Sequence, residues 1–279
     1  MALTPQSLVN KSLELVSPPS TYARLDELIH DPNSAIDDIS KVINTDPALT
    51  TRLLKIVNSP FYGFPSQINT ISRAITVIGT RELTNLVLAT SVVNAFSGIP
   101  KTLMEMNIFW RHSLACAICA KLLAEAAGHK QSEQYLIAGL LHNIGSLVLY
   151  QSVPELSAES IKSARFGHEV LHLAEQRVIG FDHTEAGEAL IQAWRLPESL
   201  GFVARHHHNP LASGYAAEVC IVHVADVMVS AVPFGHSGDQ HVPPLDPVAW
   251  DRLELQPEVI PPILRKVAIQ LEHLAANLL

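Results

Sequence analysis

The chain has 279 residues and a mass of 30.4 kDa, with 48% hydrophobic, 16% charged and 6% aromatic residues. That is enough apolar material for one large core or two smaller ones, and it excludes both a disordered chain and a small fold that depends on disulfide staples. The net charge of −8 is unevenly placed: residues 1–104 carry 8 basic and 8 acidic side chains, residues 105–279 carry 11 and 19, and 13 of the 14 histidines lie at or beyond residue 112. Duplex DNA would be repelled by the second part unless bound metal offset the charge. Three cysteines, Cys116, Cys119 and Cys220, make no disulfide framework, and the start MALTPQSLVNKSLELV lacks the charged end and apolar run of a signal peptide. A cytoplasmic protein is the expectation.

The first hundred residues read as short helices with clear punctuation. Ser34 with Asp37 three residues on has the form of a capping box, and Asp46-Pro47 supplies an N-cap and a first-turn proline for PALTTRLLKIV, whose Leu49, Leu53, Leu54, Ile56 and Val57 form an apolar stripe. ISRAITVI stops at Gly79, Thr80 starts RELTNLVLATSVVNAF, and Gly98 and Pro100 break the chain. This pair has the outline of a helix-turn-helix reader, but Arg73 and Arg81 are too few cations to track a phosphate backbone, which favours a plain helical hairpin.

Beyond the break, helices are expected over 108–127, 133–150 with an interruption near Gly145, 169–179, 183–194, 198–207 and 216–231. PFGHSGDQHVPPLDP is a loop by composition, and VIPPILRKVAIQLEHLAANLL is a closing helix. The uncharged stretch 134–154 is long enough to span a membrane, yet it holds His142, Asn143, Gly145 and Ser146 at its middle, which suits a buried helix pair. No strand alternation and no repeat period emerge. The expected fold is all-α in two parts, 1–104 and 105–279.

The later helices each carry a histidine or aspartate at an inward position: His112, His142 with Asn143, His183, His207 with His208, and Asp226. Imidazoles on several rigid helices facing one cavity are how a bundle builds a metal site. Any one of them, taken alone, such as His112 in FWRHSLACA, suits a histidine bonded to a neighbouring helix better than a ligand. Cys116 and Cys119 form a CxxC with no second pair, which fits two small side chains at a tight helix crossing better than zinc or redox work. His223 shares a helix face with Asp226 and suits either a place behind the pocket or a structural one. Glu175 is placed to orient an imidazole or to be solvated.

LLHNIGSLVL resembles the LLHDIGK segment of HD-type metal-dependent phosphohydrolases. The wider chain resembles the HD-related output domain (HDOD) family of bacterial signalling proteins through DPALTTRLLKIVNSPFYG, ISRAITVIGTRELTNLVLA, FWRHSLACA, YLIAGLLHNIGSLVL, FDHTEAGEALIQAWRLPESL, HHNP and IVHVADVM. The resemblance covers nearly the full length and implies an N-terminal helical subdomain packed on an HD-like helical bundle. It implies His112, His142, His183, His207, His208 and Asp226 as metal ligands, with Asn143 where the metal-bridging aspartate belongs. Ser146 replaces the lysine of HDIGK, no GYP triplet follows HHNP, and Ile108 is not the glutamate of trinuclear relatives.

A neutral amide at 143 cannot supply the anionic bridge between two cations, so one divalent ion (iron, manganese or zinc) is expected rather than two. The resemblance implies a signal-transduction output domain that acts through protein contacts rather than catalysis. Its partners would be signalling proteins in trans, such as cyclic-di-GMP-related enzymes or kinases, with no nucleic acid and no membrane span. The alternative is a metal-dependent phosphohydrolase acting on a nucleotide or cyclic dinucleotide. No catalytic residue and no oligomeric state can be assigned from sequence.

Overall fold

The computed structural model describes residues 3–13, 19–96 and 98–279, and it contains helices and no strand among them. The chain runs through α1 (Pro5–Leu13), α2 (Ser20–His30), α3 (Ile36–Asn44), α4 (Pro47–Val57), α5 (Ile71–Ile78) and α6 (Thr80–Ala95). Then come α7 (Met106–Ala126), α8 (Glu133–Leu141), α9 (Ile144–Ser152), α10 (Pro154–Gly167), α11 (Leu171–Val178), α12 (His183–Ala193) and α13 (Glu198–His206). A 3-10 turn (Pro210–Ser213), α14 (Ala217–Ser230), α15 (Pro247–Asp251) and α16 (Ile260–Leu278) complete it. No helix among the described residues is long and apolar enough to cross a membrane, and the uncharged stretch 134–154 is split between α8 and α9.

The chain divides into two compact units: 1–16 with 96–268, and 17–95 with 269–279. This differs from the expected division at 104/105, because both chain ends cross over. α1 packs on α9 and α12, with Lys11 Nζ donating to the Ser152 carbonyl at 3.1 Å, and the last turns of α16 belong with the smaller unit. Long-range pairing of this kind leaves no mark in local sequence pattern.

In the smaller unit, Asp46 Oδ1 accepts from the amides of Ala48 and Leu49 at 2.9 and 3.0 Å, so α4 starts as its sequence dictates. Leu49, Leu53, Ile56 and Val57 are buried, and Leu54 is half-buried. α5 ends at Gly79, whose φ of +87° suits glycine. The cap of α3 lies one residue later than the Ser34/Asp37 reading: Asp38 Oδ2 accepts from the Ala35 amide at 3.1 Å. Asn58, after α4, holds the following loop, since its amide spans the carbonyls of Leu54 and Ile68 and the amide of Ile68.

The larger unit is organised around α7, which packs on α8 and α14, while α9 packs on α12 and α12 on α13. Two glycines permit the closest approaches. A Cβ on Gly139 would lie 2.8 Å from the Cys116 carbonyl oxygen and the Ala117 Cα, and one on Gly145 would lie 2.0 Å from the His183 carbonyl oxygen and 2.3 Å from the Gly187 nitrogen. The helix break expected near Gly145 falls at His142–Asn143, and Gly145 itself lies inside α9, where this crossing needs it. α10 was not expected, since its sequence PELSAESIKSARFG shows little apolar periodicity. Gly145→Ala places a methyl against backbone atoms that cannot step aside; a loss of ~3 kcal/mol or more is expected, read as a lowered urea midpoint of the larger unit.

Candidate metal centre

The six residues of the expected ligand set all face one another inside the larger unit. Asp226 on α14 is 3% exposed. Its Oδ1 lies 3.2 Å from His112 Nε2 on α7 and 3.7 Å from His142 Nε2 at the end of α8. The other three converge beside them: His183 Nε2 lies 3.2 Å from His208 Nε2, the rings of His207 and His208 are 4.0 Å apart, and those of His142 and His207 are 4.9 Å apart. Donor atoms fall into two groups, each with all members within 4.8 Å: His112, Cys116, His142 and Asp226, then His183, His207 and His208.

The tautomers of three imidazoles follow from their partners. His142 Nδ1 meets the Gly139 carbonyl at 2.7 Å, His207 Nδ1 the Ala204 carbonyl at 2.9 Å, and His183 Nδ1 the Glu175 carboxylate at 2.6 Å. Carbonyl and carboxylate oxygens only accept, so each Nδ1 carries a proton and each Nε2 is turned inward. Nε2 of His142 and of His207 are buried with no hydrogen-bond partner, and so is Oδ1 of Asn143. Orphaned inward lone pairs on anchored imidazoles are the donor arrangement of a metal centre, and the residues fit a divalent cation.

The electrostatics are those of a dry site. Burial alone would raise the Asp226 carboxyl, but the adjoining imidazoles of His112 and His142 hold it well below the carboxylate range. Burial, with neighbouring imidazolium charge, drives His207 and His208 well below the usual histidine value. His183 is the exception. Against the opposing effect of burial, the charge and hydrogen bond of Glu175 raise it to about 9. Without a cation, then, His183 carries the pocket's proton and donates it toward His208.

Residues beyond the expected set complete the centre. Cys116 Sγ stands 3.7 Å from His112 Nε2 and 3.9 Å from Asp226 Oδ1; its i, i+4 spacing from His112 is the signal for it, whereas Cys119 lies outside both donor groups. His172 stacks on His208 with ring centroids 4.4 Å apart. His223 sits behind the pocket, its Nδ1 donating to the His207 carbonyl at 2.7 Å while its Nε2 accepts from the Asp246 amide at 2.9 Å.

The segment 233–246 is a strap across the opening. Tyr150 donates to the Ser237 carbonyl, Asp239 accepts from the Leu171 amide at 2.7 Å, and Gly235 lies close against the backbone of Ile108 and His112. The cavity left inside, lined among others by Asn143, His183, Asp226, Ser237 and Asp239, measures about 10 Å³.

The model of the HDOD domain matches residues 15–210. This chain belongs to the HDOD family. A relative from Treponema pallidum (strain Nichols), an uncharacterised protein, is 31% identical over 205 residues, 73% of this chain, and the match spans only 39% of that relative's length. Among solved structures, an HDOD domain protein of unknown function from Geobacter sulfurreducens superposes with a TM-score of 0.78 at 24% identity over 98% of both chains. A proposed phosphohydrolase from Shewanella amazonensis gives 0.74 at 22% over 98% of both. A proposed signal transduction protein from Marinobacter aquaeolei gives 0.76 at 21%, over 95% of this chain and 60% of its own. At these identities the likeness establishes the fold.

Removing the Glu175 charge tests the electrostatic assignment. In metal-free protein, Glu175→Gln is expected to lower the His183 titration midpoint from about 9, because the Glu175 charge is lost while burial still opposes the imidazolium. Imidazole nitrogen NMR reads this directly. A folded value above the unfolded one stabilises fully below pH 6.5 and fades as pH rises through about 9, so the variant also flattens the alkaline fall in Tm.

Proposed function

We propose that this HDOD chain is a cytoplasmic signalling output domain that acts through protein contacts without phosphoester turnover, and that its HD-like pocket holds one divalent ion as part of the fold. The observation that carries this reading is the strap. A cavity of about 10 Å³ admits roughly one water or ion, whereas pockets for small organic ligands measure about 300–1,000 Å³. No phosphodiester reaches the donor atoms while the strap is tied at Tyr150, Asp239 and Asp246.

Asn143 supports the same conclusion. A neutral amide lines the cavity where a bridging carboxylate would hold two cations around an activated hydroxide, so the two-metal route lacks its central anion. What remains is a buried ion that ties α7, α8 and α14 together, with the outer surface free to meet a signalling enzyme or kinase. The net charge of −8 sets that surface against nucleic acid.

Untagged protein loaded with iron, manganese or zinc is expected to retain about one equivalent and to leave cyclic-di-GMP and bis-p-nitrophenyl phosphate intact at the background rate. Turnover that disappears in His142→Ala would overturn the proposal. Asn143→Asp is expected to take up a second equivalent in metal analysis. Without metal the same variant should lose ~3 kcal/mol or more, because a new carboxylate is buried unpaired.

A further inference from the structure

We propose that Cys116 is a metal ligand, so that His112, Cys116, His142 and Asp226 form a mixed nitrogen, sulfur and oxygen site that selects a thiophilic ion such as Zn²⁺ over Mg²⁺ or Mn²⁺. This rests on the reading that the pocket holds an ion. It adds a donor that the expected ligand set lacks.

Geometry supports it first. Tetrahedral zinc, with bonds of about 2.0 Å to nitrogen or oxygen and about 2.3 Å to sulfur, needs donor separations of about 3.3–3.5 Å. The separations here are 3.2 Å for His112–Asp226, 3.7 Å for His142–Asp226, 3.7 Å for Cys116–His112 and 3.9 Å for Cys116–Asp226. Those four lie within a few tenths of an ångström of that range, and every pair in the set is within 4.8 Å. All four side chains are buried, and Nε2 of His142 is directed at this cluster with no hydrogen-bond partner.

Charge balance supports it second. A divalent ion held by two neutral imidazoles and one carboxylate leaves a net single positive charge in a dry site, which is costly to bury. A thiolate brings the site to neutrality, the thiol proton leaving to solvent as the ion binds. In metal-free protein the Cys116 thiol is a weak donor to the same Asp226 oxygen at 3.9 Å, which already aims its sulfur at the cluster. Cys119, one turn further along α7, is equally buried and lies outside the donor groups, which makes it the internal control.

Cobalt(II) titration of the untagged, chelator-stripped chain tests the assignment. Wild type and Cys119→Ser are expected to show a near-ultraviolet thiolate-to-cobalt charge-transfer band at one equivalent. Cys116→Ser and Cys116→Ala should lose the band and weaken zinc binding by at least ~10-fold, the least that even an outer contact is worth. X-ray absorption of the zinc-loaded wild type, which needs no variant, should show one sulfur at about 2.3 Å. Cobalt bound without the band, or zinc with no sulfur neighbour, overturns the cysteine ligand and leaves the metal pocket standing. A wild type that takes up neither ion overturns both.

Discussion

The larger unit is built around a carboxylate that has been taken out of water. Asp226 is flanked by His112 and His142 and no Lys or Arg forms an ion pair with it among the described residues, so its charge must be answered by imidazoles from two other helices. Isolated charges in a medium of low dielectric constant cost several kcal/mol, and that cost is recovered only when α7, α8 and α14 are all in place. The backbone approaches at Gly139 and Gly145 follow from the same demand, since a methyl at either would push apart the helices that bring donors together. Packing and charge therefore specify one arrangement. His183 and Glu175 repeat the pattern from α12 and α11, where a raised imidazole stays charged beside its carboxylate and its neighbours His207 and His208 stay neutral.

Closure by the strap leaves these pairs around a narrow pocket. Tyr150, Asp239 and His223 hold it at three separated places, so opening it breaks hydrogen bonds from α9, the start of α11 and α14 together. A chamber that admits a single small particle favours slow exchange of whatever occupies it. It also keeps effective dielectric low, which strengthens every charge interaction within. A catalytic site needs the opposite: room for substrate and a path for product. Access to the donor atoms is decided by fewer than fifteen residues outside the helices.

Local chemistry was legible in the sequence wherever it was sufficient. Asp46-Pro47 starts α4 and Gly79 ends α5 because a cap or a positive φ is decided by neighbours in the chain. The six expected ligands came from motif resemblance, and they do converge. Cys116 reads in sequence as a small side chain at a crossing, and its place beside Asp226 emerges only when α14 is laid against α7. His172 and Asp239 carry no motif, since their positions depend on how α11 and the strap fold back. The crossing of the chain ends between units is equally invisible, because residues 1–13 and 269–279 show the same amphipathic pattern whichever unit they serve. The exact place of the break near Gly145 is hidden for a related reason: glycine marks both a helix break and a close helix contact, and tertiary packing alone distinguishes them.

Residues 143 and 116 bear on one quantity, the negative charge available to a bound cation. An amide at 143 removes an anion from the inner end of the site, and a thiol at 116 offers one back to the half that contains Asp226. The exchange is not symmetrical. A bridging carboxylate serves two ions and leaves coordination positions for water, whereas a thiolate beside two imidazoles and a carboxylate closes a four-coordinate shell around one ion and leaves none. A site that is filled by protein donors binds its metal tightly and activates nothing. Under the proposed reading, the amide at 143 and the thiol at 116 therefore favour the same outcome as the strap, an ion committed to structure.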